Sequence, residues 1–407
     1  MPPWHVVLTS RAAKGPATGG RLTGLDAARG LALLGMMATH ILALFEADAN
    51  QTPTWVGLVF SGRAAALFAV LAGIGLALST GKERPLEGAA LSAARRGIAL
   101  RAFVIAFIGL SLGGLEVNIA VILVHYAVLF LCVLPFLGLR LKALCAWAAG
   151  WILGSPVLAF LLRPWLMAAD PPLQLNHNPG WGDLSTPGQL LGELFLTGYY
   201  PVFQWISYLL VGLIIGRLAL TTAFLPVLLL AGGAAVAAFA KVLGTAAMEE
   251  WGGRAALQSI LSDPHYPLDS RLQVNLAGVR QEGSWWWLAS SAPHSGTTLD
   301  LLHTSGVAAA VVGLFLLIGR LGDRLGVDLL LPLRGPGAMT LTLYTVHVWA
   351  VASGRPPGWT EQGMYFTQAA LAVLIGMAFA LLKKRGPLEW LGHAANQVGR
   401  NEPDRIR

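Results

Sequence analysis

Ten apolar stretches, each about long enough to cross a lipid bilayer, recur along this chain and limit what it can fold into. A helix needs ~20 mostly apolar residues to span the hydrocarbon layer. The stretches cover residues 25–45, 55–79, 97–114, 118–137, 142–162, 200–220, 223–243, 301–321, 331–352 and 365–382. Charged residues make up only 12% of the sequence and hydrophobic residues 55%, which excludes a soluble domain and a disordered chain. The sequence therefore predicts an all-α, polytopic integral membrane bundle of about ten transmembrane helices.

The basic residues indicate how this bundle is oriented. If both termini are cytoplasmic, 20 of the 28 Lys and Arg residues fall on the cytoplasmic side, as the positive-inside rule requires. The predicted organisation is a cytoplasmic tail at 1–23, about seven helices at 24–243 with an outer loop at 163–199, an extracytoplasmic loop at 244–299, three helices at 300–383, and a cytoplasmic tail at 384–407. The basic residues are not interleaved with aromatic ones as in a nucleic-acid surface, so their expected partner is the lipid bilayer. Assembly into a homo-oligomer is left open.

The first apolar stretch carries ionisable residues at helical spacing. Arg29 and His40 are eleven positions apart, which places them on one helix face and ~16 Å apart along the axis. Asp26 stands one turn before Arg29 and is predicted to pair with it. Ionisable residues inside a membrane usually mark a functional site. A paired or snorkelling arginine and a hydrogen-bonded core histidine are the structural alternatives.

This stretch resembles known membrane acyltransferases. The acyltransferase-3 family carries an Arg-X10-His motif in its first span, and here Arg29 and His40 are separated by ten residues. Residues 25–37, Leu-Asp-Ala-Ala-Arg-Gly-Leu-Ala-Leu-Leu-Gly-Met-Met, resemble the first helix of YeiB-like and heparan-α-glucosaminide N-acetyltransferase-like proteins. Residues 62–78, 337–347 and 386–391 are similar to the YeiB-like branch. The resemblance implies transfer of an acyl group, usually from a cytosolic acyl-CoA, to an extracytoplasmic sugar or lipid.

The resemblance also implies roles for particular residues. His40 and Arg29 match the two motif positions, whereas residues 48–55, where heparan-type enzymes have their catalytic histidine, contain none. We expect His40 to act as general base on a hydroxyl or amine, or to carry the acyl group transiently. Tyr344, His347 and Asn118 are candidate donors to the developing oxyanion.

The donor implied by the family is acyl-CoA, with acetyl-CoA as the first candidate. Its phosphates are expected to contact Arg29, Arg63, Arg96 and Arg101 through charge-assisted hydrogen bonds. Arg63 stands nine residues into the second stretch, near the middle of the bilayer. There it should meet an acid, a carbonyl or an anionic ligand.

Several histidines are expected in the outer half of the bundle. With the orientation above, His40, His125, His303 and His347 lie at similar depth, which favours a polar cavity open to the outside. Asn118 and His125, seven positions apart, are predicted to share one face of the fourth helix, and Tyr344 and His347 one face of the ninth. His125, Asn118 and His303 are the predicted acceptor-binding residues. A metal site is not expected, because the histidines and cysteines lack the spacing of metal ligands.

The predicted function is therefore acyl transfer to a cell-envelope glycan or glycolipid. The sequence is rich in Ala, Gly, Leu and Arg, which is typical of a bacterium with GC-rich DNA, and the predicted location is the bacterial inner membrane. One alternative is a transporter or flippase with a histidine-lined cavity. The sequence shows no paired broken helices at equivalent positions in two halves, which argues against it. A non-catalytic scaffold for envelope enzymes is a third reading, and it leaves the Arg29 and His40 pattern unexplained.

Overall fold

The regular structure of this chain is helical throughout its described part. The computed structural model describes residues 22–401 apart from positions 116, 169, 171 and 264, and no strand occurs among them. The α-helices are α1 (Thr23–Ile41), α2 (Trp55–Phe60), α3 (Arg63–Ser79), α4 (Gly88–Gly113), α5 (Leu123–Cys132), α6 (Leu141–Met167), α7 (Pro187–Gly192), α8 (Val202–Arg217), α9 (Leu225–Glu249), α10 (Gly253–Ile260), α11 (Leu268–Val274), α12 (Thr298–Leu325), α13 (Leu331–Gly337), α14 (Thr340–Ala352), α15 (Glu361–Leu381) and α16 (Pro387–Arg400). Short 3₁₀ or π segments occupy Leu134–Gly138, Trp181–Ser185, Glu193–Thr197 and Trp285–Ala289. The predicted all-α class is confirmed.

The described part contains fewer full-length apolar helices than the ten stretches suggest. Six are long and apolar enough to cross a membrane: α2 with α3, α4, α6, α9, α12 and α15. A seventh results if residues 187–197 and α8, which meet at 56°, form one bent span. Helices α5 and α14 are shorter apolar helices, and α1 carries the polar residues Asp26, Arg29 and His40. The chain is a multi-pass membrane protein. The predicted ends at 1–21 and 402–407 lie outside the described residues.

The second stretch is interrupted where the sequence suggests a continuous helix. Gly62 adopts φ of +70° between α2 and α3, a conformation that costs glycine little. Arg63 is consequently the first residue of α3, and its guanidinium donates to the carbonyl of Leu58 at 2.6 Å. The expected carbonyl partner is present, but Arg63 does not sit inside an unbroken helix.

The fourth stretch begins with irregular backbone instead of a helix at Asn118. Residues 117–122 are non-helical, and α5 has only ten residues. Side chains from distant segments satisfy this backbone: Asn178 accepts from Val121 N at 2.8 Å and donates to Ile119 O at 2.7 Å. Non-helical backbone is tolerated at membrane depth when the protein supplies such partners. The prediction that Asn118 and His125 share a helix face is wrong for this reason.

The ninth stretch is likewise two helices. Helix α13 ends at Gly337 just after Pro336, and α14 begins at Thr340. The carboxylate of Glu389 accepts from the backbone N–H groups of Leu341 at 2.6 Å and Thr342 at 3.1 Å. An acid at this position satisfies orphan donors and complements the helix dipole. The ninth stretch is therefore broken between Gly337 and Thr340, where the apolar pattern suggests one continuous helix.

Glycines allow the main helices to pack closely. Helices α9 and α12 form one such pair, α3 and α8 another, and α1 packs on α13. A Cβ on Gly306 of α12 would lie 2.6 Å from the carbonyl oxygen of Gly233 on α9, and the reverse substitution gives the same distance. Small residues at such crossings are typical of helix packing in membranes.

Two segments expected to be loop or tail are partly helical. The segment 244–299 contains α10 and α11 and builds a small core around the buried Trp287. It rests on the α1–α2 connection, where Arg271 lies 4.7 Å from the ring centre of Phe45. The predicted tail at 384–407 contains α16, which packs along α4. This helix is important for the site described next.

Candidate active site

A cavity of about 670 Å³ runs between α1, α3, α4, α5, α14 and α16. This volume is within the range of small-molecule and cofactor sites. Its apolar wall includes Met36, Phe68, Ile105 and Phe130. Along α1 the lining extends from Arg29 to Met36, and along α14 from Thr340 to Tyr344. The cavity therefore follows the same α1 face on which the sequence places Arg29 and His40.

One end of this cavity is strongly basic. Its basic residues are Arg29, Arg101, Lys384, Arg385 and Arg400, and its one carboxylate is Glu389. Arg29 pairs with Asp26 at 2.9 Å, as predicted, and remains about a quarter exposed. Among the described residues, the other four cations have no carboxylate within ion-pair distance. Such an excess of guanidinium and ammonium groups suits a polyanionic ligand.

The basic end also affects a histidine on α16. Partial burial, followed by the positive charges of Arg385 and Arg101, holds the pKa of His393 below its ordinary value. His393 lines the cavity beside these groups. An anion bound here would offset the two positive charges, so the pKa of His393 should rise on binding.

A hydrogen-bonded histidine pair lies next to the other end. His40 Nδ1 is 3.1 Å from His347 Nε2, and the two rings are nearly parallel with their centroids 5.3 Å apart. His347 Nδ1 lies 2.8 Å from the amide oxygen of Gln368. The ring of Tyr344, which lines the cavity, lies edge-on to His40 at 6.2 Å. The pair thus lies beside the end of the cavity that Met36 and Tyr344 line, and His40 is one helical turn beyond Met36.

Tyr344 holds the irregular segment before α5. Its hydroxyl donates to the carbonyl of Ala120 and accepts from Ile122 N, both at 3.3 Å. Its proton is thus engaged by a backbone oxygen. This contact favours a wall-forming role over the oxyanion role expected from the sequence.

Some residues predicted from the sequence lie away from the cavity. Arg63, Arg96, His125, Asn118 and His303 do not line it, and His40 and His347 lie beside it without lining it. Arg96 donates to Gly399 O at 3.3 Å and thereby links α4 to α16. His303 donates from Nδ1 to Ala237 O at 2.9 Å, between α12 and α9. His125 is fully buried, with its ring 5.6 Å from that of Tyr200. Asn118 is exposed in the irregular segment.

Sequence reasoning missed the basic residues of the C-terminal segment. From the sequence alone, Lys384, Arg385 and Arg400 are counted only as cytoplasmic charges. The available signal was Pro387 followed by apolar residues at 388, 391, 395 and 398, a helical start and period. That pattern predicts an amphipathic helix whose flanking charges lie close to the membrane.

Comparison with known families identifies this architecture. The family model described as "Heparan-alpha-glucosaminide N-acetyltransferase, catalytic" matches residues 21–246, more than half of the chain. The chain belongs to this family. The matched part contains Arg29, His40 and Arg101, whereas Tyr344, His347, Gln368 and α16 lie beyond it. No curated protein matches the chain.

Membership places the chain among membrane acetyltransferases. Enzymes of this family generally use acetyl-CoA as donor. Among the described residues, no group of three or more His, Cys, Asp or Glu side chains is arranged to hold a metal ion. The cavity between the basic residues and the histidine pair is thus the candidate active site of a membrane acyltransferase.

Proposed function

We propose that this protein transfers an acyl group, acetyl first among the candidates, from acyl-CoA to a hydroxyl or amine of a cell-envelope sugar or glycolipid. The observation that carries the proposal is one cavity with cations at one end and the His40–His347 pair beside the other. The phosphates of CoA would contact Arg101, Lys384 and Arg385. The pantetheine arm would follow the apolar wall and bring the thioester toward Tyr344.

His40 is the proposed general base. The oxygen or nitrogen of the acceptor attacks the thioester carbonyl while the acceptor's proton moves to His40. Collapse of the resulting tetrahedral intermediate then breaks the C–S bond. The protonated His40 then returns that proton to the CoA thiolate. The positive-inside distribution of Lys and Arg supports a basic end that faces the cytoplasm, where acyl-CoA is made, and a histidine pair nearer the outer face.

Calorimetric titration of the detergent-purified protein with CoA and acetyl-CoA tests the donor. We expect saturable binding that weakens about 10-fold or more in Arg101→Ala and in Arg385→Ala, because a hydrogen bond to a charged group is worth ~1.5–3 kcal/mol. Arg95→Ala is the matched control. It removes the same charge from α4, but Arg95 donates to Leu134 O and Pro135 O and does not line the cavity.

Transport of a small solute or lipid is the competing function, because a helical membrane bundle with an internal cavity fits it as well. Absence of thioester binding at millimolar concentration, together with solute uptake into proteoliposomes, would favour the transporter. Binding that all three arginine changes weaken equally would contradict the proposed phosphate site.

The affinity for CoA should depend on pH through His393. Its pKa is held below the ordinary value of ~6.5 in the free protein, and bound phosphate should raise it. The complex then binds the proton more tightly than the free protein, so affinity rises as pH falls through the pKa of the complex. It levels off below the pKa of the free protein. Titrations between about pH 8 and 5 should show a several-fold change.

His393→Asn separates this effect from titration of the phosphates themselves. The phosphate contribution persists in the variant, whereas the His393 contribution disappears. An identical pH profile for the wild type and the variant would show that the anion does not bind beside His393.

A further inference from the structure

Three polar side chains from three helices form a line that starts at the candidate base. His40 of α1 meets His347 of α14 at 3.1 Å, and His347 meets Gln368 of α15 at 2.8 Å. His347 is only 2% exposed. Gln368 lies in an apolar span whose neighbours Phe366 and Leu371 are exposed large hydrophobic residues. A glutamine in such a helix is costly unless it has a polar partner, and here that partner is His347.

The chemistry of these groups fixes where the protons lie. The amide oxygen of Gln368 can only accept, so His347 must donate from Nδ1. A neutral imidazole has a single N–H, which leaves His347 Nε2 as an acceptor. The N–H that it accepts is therefore that of His40 Nδ1. The remaining nitrogen of His40, Nε2, then carries a free lone pair.

We propose that Gln368 is a positioning residue that acts through His347 to hold His40 in the tautomer with a basic Nε2. This inference rests on the proposed function, since it assigns the reacting nitrogen of its general base. In the reverse tautomer Nε2 already carries a proton, so it could not take the proton of the attacking hydroxyl or amine. An orienting partner that selects the tautomer of a catalytic histidine is an established device in other enzymes.

The line also accommodates the charge that forms during the reaction. When His40 Nε2 takes the acceptor's proton, Nδ1–H continues to donate to His347, so no hydrogen bond breaks. The two rings are nearly parallel, at 11°, and the hydrogen bond between them limits rotation of His40 about its side-chain bonds. Both effects hold the ring in place without Gln368 touching a substrate.

Two substitutions at Gln368 test the inference by kinetics. Gln368→Met keeps the length and removes the acceptor, and we expect kcat for acyl transfer to fall about 10- to 100-fold, as is common for lost orienting partners. The KM for acetyl-CoA should stay within about twofold, because the cations of the cavity are unchanged. Gln368→Glu keeps an acceptor oxygen and should restore most of kcat. Gln362→Met changes an exposed glutamine of the same helix and is the control.

A spectroscopic measurement separates this inference from the proposed function. Nitrogen-15 NMR of histidine-labelled protein, with His40 assigned through His40→Asn, reports which ring nitrogen carries the proton. We expect Nδ1–H for His40 in the wild type and loss of that preference in Gln368→Met. An Nε2–H tautomer in the wild type, or an unchanged kcat in Gln368→Met, would overturn the inference. Absence of acyl transfer in a wild type with the Nδ1–H tautomer would instead contradict the proposed function alone.

Discussion

His40→Ala should lower kcat for acyl transfer by about 10²- to 10⁴-fold, the usual contribution of a positioned general base. His347 is poorly placed to replace His40, because its Nδ1 is engaged by Gln368 and its other nitrogen faces the position of His40. Release of CoA thiol in the presence of envelope lipid extract measures the rate. Donor affinity, measured by calorimetry, should change little, since the basic end of the cavity is untouched.

His303→Asn is the matched control for this prediction. His303 is also a histidine expected in the outer half of the bundle, but it donates to Ala237 O between α12 and α9 and is not part of the line formed by His40, His347 and Gln368. Asparagine keeps a donor in a similar place, so the variant should retain nearly full activity. A folded His40→Ala protein with the wild-type rate would exclude His40 as base and as acyl carrier.

The sequence was most informative where one helix holds both partners of an interaction. The pairing of Asp26 with Arg29 follows from a spacing of three residues and is confirmed at 2.9 Å. The shared face of Tyr344 and His347 likewise brings both toward His40. Helical periodicity alone fixes these relations, because residues three or four apart lie on one side of a helix.

The broken helices could not be predicted in the same way. Whether a span may break depends on groups that satisfy the freed backbone, and these come from far along the chain. Asn178 serves residues 119 and 121, and Glu389 serves the start of α14. Without those contacts, uninterrupted apolar helices are the better expectation, and the sequence pattern alone predicts one helix through Asn118 and His125.

The cavity could not be predicted either, because the residues that line it are far apart along the chain. Its basic end joins Arg29 and Arg101 to residues 384–400, and only the packing of α16 on α4 brings these together. The sequence predicts that the charges of the C-terminal segment face the cytoplasm, but a count of charges cannot show that they converge on one ligand site.

Arg217→Met should be the most destabilising of the substitutions considered. Arg217 is 3% exposed. Its guanidinium donates to the carbonyls of Ala77, Thr80 and Lys82, to the Thr80 hydroxyl, and to Leu137 O, at 2.6–3.2 Å. The carbonyls of Ala77 and Thr80 also accept from backbone N–H groups, so among the described residues Lys82 O and Leu137 O are the two acceptors that depend on Arg217. Each buried acceptor left without a partner costs ~1–3 kcal/mol, so we expect a loss of about 3–5 kcal/mol in the free energy of unfolding.

Thermal unfolding in one detergent measures this loss, with an expected fall of roughly 10 °C in the midpoint. Arg320→Met is the matched control, because Arg320 also donates to three carbonyls, those of Leu220, Thr222 and Ala223. Arg320 is only half-buried, so water can replace its hydrogen bonds and the change should stay within about 1 kcal/mol. Equal shifts for the two variants would mean that burial does not set the contribution of Arg217, and that water reaches the end of α3 as readily as the α8–α9 connection.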